Sequence, residues 1–262
     1  MKRNFSGKDI ADLFDEVIDW EKRKAGEGDF FLKLLKDHQC RTVFDSAAGV
    51  GYDSVRLALA GFDVTSNEID PYLQDTADRH ANEHGLRLTW TEGYTWDQLQ
   101  HSRSLYHRNG GYFDAVLCTG NSLALELDPD DQRESLLGLH AILKKGGLLI
   151  VDSRNYERIL WEKEKILEEP KANFPFSYKY YYTNPDVSDI PVEIHQDRIV
   201  FEAANKRGMS ARFELYPFKM LELKYLLMAY GFHDVQIYED FKPIKEYSGS
   251  DCDFFQYIAV KK

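Results

Sequence analysis

The chain has little cysteine, no long apolar run and a deficit of positive charge. Its 3 cysteines, Cys40, Cys118 and Cys252, are odd in number and scattered, which excludes a disulfide framework and gives no zinc-ligand spacing. They read as buried thiols of a reducing compartment. No stretch approaches the roughly 18 consecutive apolar residues that cross a bilayer. The opening MKRNFSGKDIADLF carries bases but neither the apolar core nor the cleavage site of a secretory signal, so a cytoplasmic address is expected. With 33 lysines and arginines against 44 acids, the net charge is −11, which argues against neutralising nucleic-acid phosphates over a broad surface. Glycine at 17 and proline at 8 are ordinary among 262 residues, so collagen-like and low-complexity chains drop out. What is there, 43% apolar and 14% aromatic residues, is enough to bury a full core. The expected partner is a small molecule, handled by a monomer or small homo-oligomer without nucleic acid, membrane or metal.

Hydrophobic spacing organises the chain. Ile10, Leu13, Phe14, Val17 and Ile18 form one helical face, and residues 29–38 a second helix. Strand-like runs at 43–46, 62–68, 86–92, 113–120 and 147–153 then alternate with helical segments at 52–61, 71–85 and 129–143. Pro71 stands at a helix start, and Gly61 and Gly85 at helix ends. Such alternation predicts right-handed crossovers and a mostly parallel sheet covered on both faces. After Tyr156 the rhythm breaks into a helical ILWEKEKILEEP, an aromatic, turn-rich stretch and alternating strands in VEIHQDRIVFEA and SARFELYPF. A helix at 220–231 and two terminal strands follow, giving about seven sheet strands, the last of them antiparallel. The expected fold is α/β: a Rossmann-like sheet with helices on both faces and an inserted antiparallel cap. The chain reads as one domain, with an N-terminal helical lid (1–40), a core (41–156), the cap (157–218) and a C-terminal completion of the sheet (219–262).

The most informative segment is DSAAGVGYDS, residues 45–54, where the first strand yields to a helix. Glycines there let a ligand approach the backbone, and the helix N-terminus offers free N–H groups. Glu68 ends the second strand 19 residues beyond Gly49, where an acid accepts hydrogen bonds from a ribose. A dinucleotide fingerprint wants a third glycine near residue 54, and Ser54 stands there, which disfavours a pyrophosphate cradle. Asn121 follows the fourth strand at the edge where open α/β sheets collect ligands. Arg154 follows the fifth, and a guanidinium there can clamp a carboxylate with two parallel hydrogen bonds. A structural salt bridge is the competing reading of Arg154.

The stretches VFDSAAGVGYDSVRLALAGFDVTSNE, FDAVLCTGNS, LKKGGLLIVDSRNYERIL, LYP and DFKP occur in serial order from residue 43 onward. Together they resemble class I S-adenosylmethionine-dependent methyltransferases, and among them the glycine and glycine/sarcosine N-methyltransferases of betaine synthesis. The resemblance implies S-adenosylmethionine as cofactor and an osmolyte-forming transfer to glycine or sarcosine. It implies that Ala47, Gly49 and Gly51 pass under the methionine part of the cofactor, that Glu68 holds the ribose, and that Arg23 pairs with the cofactor's carboxylate. Tyr94, Thr95 and Trp96 would surround adenine, with Cys118 also at the cofactor. Asn121, Arg154 and Tyr216 would carry catalysis and, with Tyr182, bind the amino acid. Leu125 stands where the family often has histidine, in GNSLAL, which leaves open which amine is methylated and how many times. A methyltransferase of another amine or phenol, a nicotinamide-dependent dehydrogenase and a non-catalytic metabolite binder are the alternatives.

Overall fold

The structure is a computed structural model that describes residues 7–108, 112–170, 174, 187–244 and 252–262. Three helices lead into it: α1 (Gly7–Val17), α2 (Trp20–Glu27) and α3 (Phe30–Asp37). The core follows as β1 (Thr42–Asp45), α4 (Tyr52–Leu59), β2 (Asp63–Ser66), α5 (Pro71–Glu83) and β3 (Thr89–Trp90). A 3₁₀ turn at Trp96–His101 precedes α6 (Arg103–Arg108), β4 (Phe113–Cys118), α7 (Pro129–Ala141) and β5 (Leu143–Arg154). Next come α8 (Tyr156–Trp161), α9 (Lys163–Glu168), β6 (Val187–Ile194), β7 (Ile199–Asn205) and β8 (Ser210–Leu215). The chain closes with α10 (Met220–Ala229), β9 (Phe232–Glu239), the two-residue β10 (Lys242–Pro243) and β11 (Phe254–Lys261).

Among the described residues the large sheet has eight strands in the order β10-β9-β11-β5-β4-β1-β2-β3. Strands β1 to β5 are parallel, and β11 inserts antiparallel between β5 and β9. This is the expected architecture with one short strand added at the edge. Alternation along the central strands builds two cores, because successive side chains leave opposite faces of a pleated strand. Ala115 and Leu117 of β4 join Val43, Leu57, Phe31 and Leu35 beneath α3 and α4, whereas Val116 and Cys118 join Phe44, Leu136, Leu139, Leu223 and Leu227 beneath α7 and α10. Strand β5 is buried over most of its length, as a parallel sheet covered on both sides requires.

Helix starts follow from local chemistry. Asp70 and Asp128 each accept a backbone N–H as N-caps, from Tyr72 at 2.9 Å and Asp130 at 2.8 Å, and each is followed by proline at the first helical position. The third strand is shorter than the alternation predicts, since only Thr89 and Trp90 pair with β2. The fifth is longer, its first residue Leu143 already paired with Phe113.

Strands β6, β7 and β8 form a separate antiparallel sheet, the inserted cap. Helix α1 straps it to the core. Leu13 and Val17 pack on Val187, Ala203 and Ala211 of the cap, while Asp15 meets His80 and Arg79 of α5 at 2.5 and 2.6 Å.

Candidate active site

Strands β1, β4 and β5 are parallel neighbours, so the loops leaving Asp45, Cys118 and Arg154 open on one edge. The strand order reverses between β1 and β4, the place where open α/β sheets hold ligands.

The glycine loop is tied from several sides. Ser46 N–H donates to Leu117 O at 2.9 Å and Ala48 N–H to Asn67 O at 2.9 Å. Gly51 opens α4 at φ +89°, and a Cβ there would lie 2.7 Å from that of Ala77, so helix α5 can approach only a glycine. At Gly49 the position of an added Cβ has no atom within 4 Å: the loop's outer side is an open cradle. Gly49 N–H donates to Glu68 Oε2 at 2.9 Å, and Glu68 Oε1 accepts from Ile69 and Asp70 N–H at 2.9 and 3.0 Å. Glu68 is thus brought beside the loop. Burial pushes its carboxyl above the usual range while the three N–H bonds pull it back. Ser54 fills the place of the missing third glycine. Fully buried, its hydroxyl donates to Asp45 at 2.6 Å and contacts that of Ser66 at 2.8 Å.

Arg23 is buried rather than an exposed helical charge. Its Nε donates to Glu27 at 2.6 Å and its terminal nitrogen to Asp53 at 2.7 Å, and the guanidinium lies 4.0 Å over the Tyr52 ring. This places it beside the first turn of α4. Glu27 also receives Arg56 at 2.8 Å; burial pushes its carboxyl up to about 7 against the pull of Arg23. Asp45 is likewise pushed up, by burial first and by the nearby Asp53 second.

Trp96 donates its indole N–H to Ser46 O at 2.9 Å beneath the loop. Thr95 caps the 3₁₀ turn, and Tyr94 is half-buried with its hydroxyl on Glu92 and Ser104. Asn67 gathers this wall: its amide donates to the carbonyls of Ser46 and Tyr94 at 3.2 and 2.8 Å, and its oxygen accepts from Tyr94 N–H and the Thr91 hydroxyl at 2.9 and 2.5 Å. Sequence reasoning missed Asn67, although a polar residue between a buried strand and Glu68 was a signal. Ala47 packs half-buried at the loop, and Cys118 is fully buried in the core below it.

Asn121, at φ +62°, locks the loop after β4 to the end of β5. Its N–H donates to Asp152 at 2.6 Å, its amide to the Tyr156 hydroxyl at 2.7 Å, and its oxygen accepts Arg154 N–H at 3.0 Å. The Arg154 side chain, 3% exposed, pairs with equally buried Asp189 of β6 at 2.5 Å and lies 4.5 Å from the Phe201 ring. The guanidinium therefore points into the interface of core and cap, held by a salt bridge. Tyr216 reaches the same loop through its N–H on Ala124 O at 2.7 Å, but its hydroxyl donates to Glu222 at 2.7 Å. Burial and that carboxylate push the phenol up to about 12. Tyr182, with its neighbours Tyr180 and Tyr181, lies outside the described residues. Leu125 is exposed. Among the described residues no cluster of His, Cys, Asp and Glu could hold a metal ion, and no helix is long and apolar enough to cross a membrane.

Residues 43–147 match the family described as "Methyltransferase domain". The fold is similar to that of an S-adenosylmethionine-dependent methyltransferase from Clostridium acetobutylicum, with a TM-score of 0.64 at 14% identity over 96% of this chain and 97% of that one. The sequence is 32% identical over 255 residues to the glycine/sarcosine N-methyltransferase of Parasynechococcus marenigrum, covering 97% of this chain and 84% of that protein. It is 31% identical to the glycine/sarcosine N-methyltransferase of Aphanothece halophytica over 96% of this chain and 88% of that one. With an open glycine cradle, an acid at the second strand's end and an Asn121–Arg154 lock on the same edge, the chain belongs to the glycine/sarcosine N-methyltransferase family.

Proposed function

We propose that the protein transfers a methyl group from S-adenosylmethionine to the nitrogen of glycine or sarcosine, a step toward betaine. The observation that carries this reading is the shared edge. Glu68 at the glycine cradle and Arg154 at the end of β5 belong to loops on one side of the sheet, in a chain 32% identical to a glycine/sarcosine N-methyltransferase. The residues present fit the cofactor: the space over Gly49 is open, and the buried carboxylate of Glu68 beside it would accept from a ribose hydroxyl. Ala47, Gly49 and Gly51 would carry the methionine end, Arg23 its carboxylate, and the wall of Tyr94, Thr95 and Trp96 the adenine.

When bound, S-adenosylmethionine supplies a methyl group on a positively charged sulfur that leaves as a neutral thioether. The chain's task is therefore positioning, since holding nucleophile and acceptor carbon at a near-attack distance of about 3–3.5 Å supplies much of the acceleration. Arg154 would orient the amino acid through its carboxylate, displacing part of the Asp189 contact, and Asn121 fixes the Arg154 backbone. The attacking amine must be neutral, so the substrate ammonium first gives up a proton, and activity is expected to rise toward alkaline pH.

The acidic composition supports tolerance of high intracellular salt, as suits an osmolyte maker, and the three buried free thiols support a reducing, cytoplasmic setting. The deciding experiment is incubation with S-adenosylmethionine and, separately, glycine, sarcosine and dimethylglycine, with products resolved by mass. Methylation of neither glycine nor sarcosine would overturn the reading.

A further inference from the structure

Arg23 is a fixed cation. Glu27 holds its Nε at 2.6 Å, the Tyr52 ring lies 4.0 Å below its plane, and Asp53 meets its outer nitrogen at 2.7 Å. Glu27 is itself clamped by Arg56 at 2.8 Å and by the Tyr52 hydroxyl at 3.3 Å, so Arg23 cannot swing far to follow a ligand. Asp53 is the second residue of α4, immediately beyond the glycine loop. Its Oδ2 accepts from both Arg23 and the Thr119 hydroxyl, the latter at 2.9 Å. One carboxylate therefore stands where helix α2, the glycine loop and the end of β4 converge, and its side chain is 12% exposed.

This pairing decides what can bind. The cluster holds four carboxyl groups, Glu27, Asp29, Asp45 and Asp53, against two guanidiniums, Arg23 and Arg56. A simple anion approaching Arg23 meets Asp53 at contact distance, and like charges so close cost more than the arginine returns in a partly desolvated site. An α-amino acid group brings its own cation one carbon from its carboxylate, and so complements both partners at once. The methionine end of the methyl donor is such a group.

We propose that Asp53 receives the α-ammonium group of the methyl donor, with Arg23 beside it taking the carboxylate. The pair is a receptor for a zwitterion; it excludes nucleoside anions that lack the ammonium. The Thr119 hydroxyl fixes the carboxylate through Oδ2. This rests on the methyl-donor reading given above and adds a residue that specifies the donor.

The test is calorimetric titration of the full chain with S-adenosylhomocysteine, with its decarboxylated analogue, which keeps the amine, and with its deaminated analogue, which keeps the acid. Wild type is expected to bind the decarboxylated amine more tightly than the deaminated acid; the reverse order would overturn the proposal without any variant. Asp53→Asn is expected to weaken S-adenosylhomocysteine and the amine by about tenfold to a hundredfold, the worth of a hydrogen bond to a charged group. The deaminated acid, which no longer meets a like charge beside Arg23, should bind the variant more tightly than wild type. Equal weakening of all three ligands would mean that Asp53 only anchors α2. Glu27→Gln, which loosens Arg23 without facing the ligand, is expected to weaken S-adenosylhomocysteine and the deaminated acid alike. If it instead reproduced the selective pattern of Asp53→Asn, the ammonium would not be read by Asp53. Failure of wild type to bind S-adenosylhomocysteine at all would overturn the donor reading and this proposal together.

Discussion

Replacing Glu68 by glutamine separates two roles that the wild-type carboxylate combines. Its two oxygens accept three backbone N–H groups: Gly49 on one, Ile69 and Asp70 on the other. A glutamine has one acceptor oxygen and an NH₂. The less costly orientation keeps the oxygen toward Ile69 and Asp70 and turns the NH₂ against Gly49 N–H, leaving that donor without an acceptor. An orphaned buried N–H costs about 1–3 kcal/mol. Removing a carboxylate whose burial already disfavours its charge offsets part of this, so the lower half, about 1–2 kcal/mol, is expected from urea unfolding. The ligand term is larger. A ribose hydroxyl would donate to the remaining lone pair of the oxygen on Gly49, and in the variant it would meet an NH₂ instead. Affinity for S-adenosylhomocysteine is expected to fall by about tenfold to a hundredfold. Lost stability with unchanged affinity would refute the ribose role and leave Glu68 as a loop tie alone; no change in either would refute the accounting of its hydrogen bonds.

Arg154→Lys keeps a cation beside buried Asp189 but loses the planar fork, so the KM for glycine is expected to rise at least about tenfold with cofactor affinity unchanged; equal turnover at low glycine would remove Arg154 from the substrate site. A Cβ on Gly138 would run into the Trp96 carbonyl oxygen, so Gly138→Ala should cost about 1–3 kcal/mol or more by overpacking and weaken cofactor binding through Trp96, whose indole holds Ser46; an unchanged melting curve would contradict the packing. Glu27 titrates near 7 in the folded chain against an ordinary value of 4.5, so the folded state binds more protons between those values and stability should fall as pH rises from about 4.5 to 7; in Glu27→Gln the decline should flatten, and an unaltered slope would refute the assignment. Burial pushes the thiols of Cys40 up to about 11 and Cys252 up to about 12, and that of Cys118 upward as well. All three should resist a thiol reagent at pH 8 until the chain is unfolded.

The parts legible in the sequence were those written in short-range spacing. The glycine loop and Glu68 lie 19 residues apart on consecutive strand ends, and the structure joins them by one hydrogen bond. Helix α2 was not legible, because WEKRKAGE carries no apolar stripe. It is held instead by Asp19, which caps Lys22 N–H at 3.1 Å, and by the buried ion pairs of Arg23 and Glu27. Their pairs with Asp53 and Arg56 span 30 and 29 residues of sequence, a distance over which a charge pattern says nothing of burial. The same holds for Asp189, whose carboxylate meets Arg154 across 35 residues. Residue 154 was identifiable from its place after a strand, but its partner could be found only by folding the cap. The third strand was overread because LRLTWTE alternates well, yet an edge strand pairs on one side only and here keeps two residues of the ladder.

Ser54 makes more than an absent glycine. Its hydroxyl joins Asp45 at the tip of β1 to Ser66 at the tip of β2, so a single oxygen rivets helix α4 to both strands. A drift of this loop toward pyrophosphate recognition would therefore have to unmake three side chains together, each meanwhile leaving the others with a stranded polar atom in the dry interior. Such an intermediate is worse than either end state, so the three side chains resist being exchanged one at a time.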